Sequence, residues 1–290
     1  MTRALLVCVL LSAMGRAWAA AVAVQLPMPC GNPAWEGQIE AEQNVEFSAT
    51  TAGVLRIREL GVDLVWAAGD SSDWTAIRLR PPKLGEAWIA VTAGDRIRLR
   101  SQRPQAARLR MELFCESQLG SDQRCLAELT AGEKPPAATE LVEIASLGGH
   151  CGAAAMHEFA QLAANGGMHR VSAQRYRDLV KRWQQLGVDD RAAAAELGLA
   201  EQLLKAGEIE AAESAARQAA LNNARAGNAT YAARSRVTRG VALRRLGQIE
   251  ESRQLLLATI PEFEALGERN EVANAHFNLA LAALMTGNRL

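Results

Sequence analysis

Between residues 45 and 113, several short runs alternate apolar and polar side chains one by one. In Asp95-Arg96-Ile97-Arg98-Leu99-Arg100 the apolar residues fall on one face and the arginines on the other. Ala76-Ile77-Arg78-Leu79-Arg80 and Arg108-Leu109-Arg110-Met111-Glu112-Leu113 repeat the pattern. Successive side chains of a strand point to opposite sides of the sheet, so this alternation predicts half-buried antiparallel strands. Residues 45–49, 54–60, 62–67 and 87–92 are further candidates. Between the candidates stand the turn-forming runs Thr51-Ala52-Gly53, Gly69-Asp70-Ser71, Pro81-Pro82 and Ala93-Gly94-Asp95. Seven short strands at this spacing predict a β-sandwich or jelly roll within residues 21–118.

Beyond residue 150 the period changes. Gly167, Gly207, Gly247 and Gly287 stand 40 residues apart, and Gly187, Gly227 and Gly267 fall halfway between them. The flanking side chains keep the same register. Seven positions before the first set stand Ala160, Ala200, Gly240 and Ala280, all small; eight before stand Phe159, Leu199, Arg239 and Leu279. Ser172, Ala212 and Ser252 follow five positions after, and Tyr176, Ala216 and Leu256 nine after. Repetition on this scale predicts stacked helical hairpins. Small residues admit close helix approach, larger ones fill the space between, and each glycine ends a helix in a left-handed turn. Ser172, Tyr176, Leu179, Val180 and Trp183 form one apolar stripe, as do Leu256, Ile260 and Phe263, where Pro261 predicts a kink. The predicted fold class is therefore α+β: an antiparallel β-sandwich, then an α-helical solenoid with units near 151–190, 191–230 and 231–270 and an incomplete unit at 271–290.

Residues 119–150 read as a helical connector. A helix over 121–130, capped by Ser121, and a second over 139–147 are separated by Gly132-Glu133-Lys134-Pro135-Pro136. The sequence stops at Leu290, just after Gly287. Phe277, Ala280, Leu281 and Leu284 are accordingly expected to lack a covering helix and to offer a surface for self-association.

The first twenty residues read as a signal peptide, with Arg3 before the apolar run 4–14 and a small-x-small site at Ala17-Trp18-Ala19. A periplasmic or secreted protein is expected, with no transmembrane segment after cleavage. Basic and acidic residues balance at 32 each, which argues against nucleic acid as a partner. With Cys8 removed, four cysteines allow three disulfide pairings. Cys30–Cys115 and Cys125–Cys151 are the expected ones. The first would join the ends of the β region, closing a loop worth on the order of 4 kcal/mol, and the second would pin the connector to the first hairpin.

Catalytic signals are sparse. His150, Cys151 and His157 could imitate a cysteine–histidine pair or a zinc site, but a fourth ligand and the usual spacing are missing. No phosphate loop, HExxH or GxSxG motif occurs. Asp70 and Asp73 could approach calcium, though turn chemistry accounts for both. Residues 37–115 carry eleven basic and ten acidic side chains, a mixed solvated face with no basic patch. A hydrolase using Cys151 and His157 and a carbohydrate-binding β region using Trp35, Trp74 or Trp88 are the alternatives to a binding scaffold. No cofactor and no metal are expected.

The repeat resembles tetratricopeptide repeats in a 40-residue form. Leu199, Ala200, Leu203, Gly207, Ile209, Ala212 and Ala219 carry the likeness, with Gly240, Leu243, Gly247, Ile249 and Ser252, and Leu279, Ala280 and Gly287. The links Leu186-Gly187-Val188-Asp189 and Leu266-Gly267-Glu268-Arg269-Asn270 are similar to connectors of the longer repeats. Gly53-Val54-Leu55-Arg56-Ile57, Gly61-Val62-Asp63-Leu64-Val65-Trp66 and Ala93-Gly94-Asp95-Arg96-Ile97-Arg98-Leu99 resemble the pre-peptidase C-terminal-like β-sandwich. Together the order resembles the N-terminal part of bacterial caspase-like (CHAT) proteases with tetratricopeptide repeats, without the protease domain. The resemblance implies architecture and no catalysis. It places Glu201, Lys205, Arg234, Arg244, Arg245, Asn274 and Asn278 on a concave groove that would hold a protein or peptide. The mixed signs there do not reproduce a peptide-carboxylate clamp.

Overall fold

The computed structural model describes residues 25–28, 35–39, 44–59, 64–68, 75–76, 86–101, 107–131 and 136–285. The expected signal peptide, Cys30, Asp70, Asp73, Trp74 and Gly287 lie outside them. Described strands are β1 (Gln25–Met28), β2 (Trp35–Ile39), β3 (Asn44–Ala49), β4 (Gly53–Glu59), β5 (Leu64–Ala68), β6 (Thr75–Ala76), β7 (Glu86–Val91), β8 (Arg96–Ser101) and β9 (Ala107–Cys115). They form two sheets, ordered β1-β3-β8-β5-β6 and β2-β9-β4-β7. The described pairings are antiparallel except β1 with β3.

Alternation decides which face is inside. Ile97 and Leu99 of β8 and Val45 and Phe47 of β3 meet Leu55 and Ile57 of β4 and Leu109, Met111 and Leu113 of β9 in one core between the sheets. The intervening Arg96, Arg98 and Arg100 point away from it, and Arg96 lies 3.7 Å from Glu46 of the adjacent strand. The strand expected at 76–80 is described only at Thr75–Ala76, with 77–80 outside the described residues.

The helices are α1 (Ser121–Ala131), α2 (Ala138–Ser146), α3 (Gly149–Asn165), α4 (His169–Gln185), α5 (Asp189–Ala206), α6 (Ile209–Arg225), α7 (Ala229–Arg245), α8 (Ile249–Ala265) and α9 (Arg269–Met285). From α3 onward they stack as a solenoid. None of the described helices is long and apolar enough to cross a membrane. Ser121, expected as a cap, is already the first helical residue of α1.

Each joint in the solenoid repeats one hydrogen-bond pattern. At the first, Gly167 N–H donates to Ala164 C=O and Met168 N–H to Ala163 C=O. The same two bonds recur at Gly187, Gly207, Gly227, Gly247 and Gly267. This is the Schellman arrangement, and it needs a left-handed residue after the helix. All six glycines have φ between 68° and 83°. The period visible in the sequence is thus the period of one stereochemical requirement.

Packing between joints also repeats. Ser172 Oγ donates to Ala160 C=O at 2.7 Å, and 80 residues later Ser252 Oγ donates to Gly240 C=O at 2.7 Å. Both serines are fully buried, so the small positions also tie facing helices by side-chain hydrogen bonds. Arg239, the one charged member of an otherwise apolar series, turns to Glu213 (2.7 Å) and Glu251 (3.0 Å) on the flanking helices α6 and α8. Helix α8 continues through Pro261, which lies on the exposed side and leaves the Leu257 carbonyl without its helical N–H.

Glu196 of α5 is buried, and its carboxylate accepts both bonds from the Asn222 amide of α6 (2.9 and 2.8 Å). Forty residues on, Arg236 and Glu262 make the corresponding contact as an ion pair. Burial raises the Glu196 pKa above the ordinary 4.5, and the Asn222 bond opposes this only in part. A raised folded-state value means that the folded chain holds this proton more tightly than the unfolded chain. The stabilisation is complete below 4.5 and is lost as pH rises through the folded value. Glu196→Gln is therefore expected to be more stable than the parent at pH 7, with the difference closing as pH falls below 4.5. Urea midpoints measured across that range check it; a constant difference would contradict it.

A weld between the two regions involves α1. Its Leu126 packs against Val54, Trp88 and Phe114 on the outer face of the second sheet, together with Cys151 of α3. Cys125 and Cys151 are joined by a disulfide with Cα atoms 5.9 Å apart, the expected pairing. Cys115 is also disulfide-bonded, while Cys30, its expected partner, lies outside the described residues. Asp122 of α1 accepts the N–H groups of His150 (3.1 Å) and Cys151 (2.8 Å) at the start of α3. It thereby caps a helix from a different one, satisfying donors that the first turn leaves free. Gly149 makes room for this: its φ is 59°, and a Cβ there would stand 2.6 Å from the Asp122 carboxylate. Arg58 of β4 adds an ion pair to Asp190 at the start of α5.

Candidate groove on the inner helices

Among alternate helices, α5 touches α7 and α7 touches α9, whereas their outer counterparts α4, α6 and α8 do not pack on one another to that extent. The odd-numbered side is therefore the shorter, concave one. Its centre is organised by Arg234. That guanidinium donates to Glu201 of α5 at 3.1 Å, lies 3.4 Å from Glu271 of α9 and stands 5.7 Å from the Tyr231 ring centre. One side chain of α7 thus connects three successive inner helices. Burial alone would lower its pKa, but Glu201 and Glu271 outweigh that and hold it above its ordinary value.

The polar chain continues toward α3. Tyr176, on the outer helix α4, slides beneath α5 at Gly198, where a Cβ would lie 2.5 Å from its ring. Its hydroxyl oxygen accepts a hydrogen bond from the Gln161 amide, and its pKa is pushed well up by burial first and by the nearby Glu201 carboxylate second, so it remains neutral. Gln161 lies 3.2 Å from His157 Nε2, and the His157 ring meets the Tyr176 ring edge-on with centres 5.8 Å apart. His157 is buried.

At the far side, Asn274 is exposed and accepts the Asn278 amide at 3.0 Å. Asn278 itself is buried and also donates to the Asn274 carbonyl at 2.9 Å, so it supports the surface more than it presents one. The two arginines ending α7 reach in opposite directions. Arg245 Nη1 donates to Leu204 C=O of α5 at 3.0 Å, while Arg244 Nη1 meets Met285 Sδ of α9 at 3.8 Å. Lys205 is exposed beside that carbonyl.

All seven groove residues named from sequence belong to the inner helices, and the structure ties Glu201 to Arg234 and Asn274 to Asn278. It adds Tyr176, Gln161, Tyr231 and Glu271, which the glycine register did not assign to this face. Tyr176 belongs to an outer helix, and Glu271 is recognisable only through its partner.

Two other candidates change character. The Cys151 sulfur is bonded to Cys125, so the Cys151 and His157 pair has no free thiol. Trp88 is buried beneath α1 and stacked on Phe114 (5.5 Å), and Trp35 packs edge-on against core Phe47 (5.2 Å). Neither forms an exposed aromatic platform. Among the described residues, no three His, Cys, Asp or Glu side chains converge as metal ligands. The chain matches no protein-family model and no curated protein.

Proposed function

We propose that this chain is an exported, non-catalytic scaffold that holds a protein or peptide along the inner face of its helical solenoid. The resemblance to the regulatory part of caspase-like tetratricopeptide proteases agrees with this reading. The disulfide between Cys125 and Cys151 agrees with an oxidising compartment. One observation carries it. The solenoid's apolar core lies between the helices, yet the inner face bears the polar groups of His157, Gln161 and Tyr176 and then the ion-paired series Glu201, Arg234 and Glu271, with Lys205, Arg245 and Asn274 exposed along it. Packing of the helices does not require those exposed groups, whereas recognition of a polar partner does.

The test places a photo-crosslinking amino acid at Lys205 or Asn274, and for comparison at exposed Arg177 or Gln218 on the outer helices. In cells that express the chain, one discrete partner adduct is expected from the inner positions and none from the outer ones. Adducts from the outer positions alone, or from no position, would reject the groove.

A further inference from the structure

Some cations of the solenoid meet carboxylates and others do not. Within the solenoid, Arg234 has Glu201 and Glu271, Arg236 has Glu262, Arg239 has Glu213 and Glu251, and Arg253 has Glu250. Arg244 and Arg245 are neighbours, and among the described residues neither forms an ion pair. Arg245 meets a carbonyl and Arg244 a thioether. The Arg244 Nε atom is buried with no acceptor, a state that leaves part of its desolvation uncompensated. Lys205, exposed next to the Leu204 carbonyl that Arg245 reaches, adds a third positive charge.

Apolar surface adjoins this cluster. On α9, Phe277 is 63%, Leu284 70% and Met285 57% exposed. Phe277, Leu281 and Leu284 are spaced four and three residues apart and therefore share one face. Met285, next along the helix, is the residue that Arg244 touches. Three cations without carboxylates beside an uncovered apolar stripe match one ligand chemistry: carboxylates flanking a bulky apolar side chain. A guanidinium takes a carboxylate through two parallel bonds, and Arg245 and Lys205 are exposed to offer theirs.

We propose, resting on the groove reading and deepening it, that Lys205, Arg244 and Arg245 with Leu284 and Met285 dock an acidic segment of another protein, its apolar side chain seated on α9. The test pans randomised ten-residue peptides displayed on phage against the immobilised full chain and against Arg244→Glu/Arg245→Glu. Should that variant lose its helical circular dichroism, Arg244→Gln/Arg245→Gln replaces it. Acidic sequences with a central Phe, Leu or Met are expected to be enriched on the parent. An enriched peptide should bind the double variant at least tenfold more weakly, and the parent more weakly as salt rises. Leu284→Ser should weaken it as well.

Enrichment of basic or uncharged peptides, unaffected by the arginine substitutions but lost in Glu201→Arg, would overturn the acidic assignment while leaving the groove in place. No enrichment on the parent would overturn both. A concentration-dependent dimer abolished by Leu284→Ser, with no peptide enriched, would show a second copy of the chain as the occupant and overturn the proposal.

Discussion

Replacing Phe263 with alanine is expected to lower the stability of the solenoid by about 3–5 kcal/mol, the range for removing a fully enclosed aromatic side chain. Phe263 is completely buried in the last turn of α8, within a cluster that includes Val237 of α7, Leu256 and Ile260 of α8 and Ala275 of α9. It therefore fills the space where one hairpin meets the next. Its neighbours lie on three regular helices whose spacing is set by other contacts, so the void can collapse only partly. The Phe263 carbonyl also accepts the Glu268 N–H in the joint that follows, so loosening of this turn reaches α9. Denaturant unfolding followed by circular dichroism measures the loss. A decrease below about 1 kcal/mol, within the range of surface substitutions, would mean that α7, α8 and α9 do not share this core.

Loss of the disulfide between Cys125 and Cys151 is expected to cost about 3.5 kcal/mol. That is the chain-entropy value for a separation of 26 residues, before any change in the native contacts. Unfolding curves of Cys125→Ala/Cys151→Ala beside the parent test it. Reductant should cost more than the double substitution does, because it also opens the bridge at Cys115. Local consequences follow as well, because the bridge holds α1 where Asp122 caps α3. Hydrogen exchange should therefore accelerate at His150 and Cys151 before it does at the middle of the solenoid. Unchanged midpoints and unchanged exchange there would show that the apolar contact of Leu126 with Val54 and Trp88 secures the joint without the bridge.

Legibility in the sequence followed the range of the interaction. Helix joints depend on one residue with positive φ, so the glycines located them to the residue, and strand alternation separated Ile97 and Leu99 from their arginine neighbours. Strands β1 and β2 were invisible: the first is four residues long with a proline, and Gly37 interrupts the second. Trp88 reads from sequence as a possible platform because nothing local announces that α1 will cover it. Membership of the inner helices could be read from the glycine register, whereas pairing could not. Arg234 finds Glu201 and Glu271 across 33 and 37 residues, and the choice depends on side-chain reach across helices. Asn223 shows the same limit. It occupies the place that Trp183 and Phe263 hold one unit away, fully buried, and replaces aromatic packing with bonds to Ala193 C=O (2.7 Å) and Ala219 C=O (2.9 Å).

The identical joints have a consequence for how the chain can be lengthened or shortened. Gly187 and Gly227 close their helices in the same way and point the next helix in the same local direction. Excising residues 188–227 would splice Gly187 directly to Asn228 and rebuild an equivalent corner without a designed linker. Only the sideways fit of α4 on α7 would be new, so the articulated column is divisible at its hinges even though its side-chain brackets are not interchangeable.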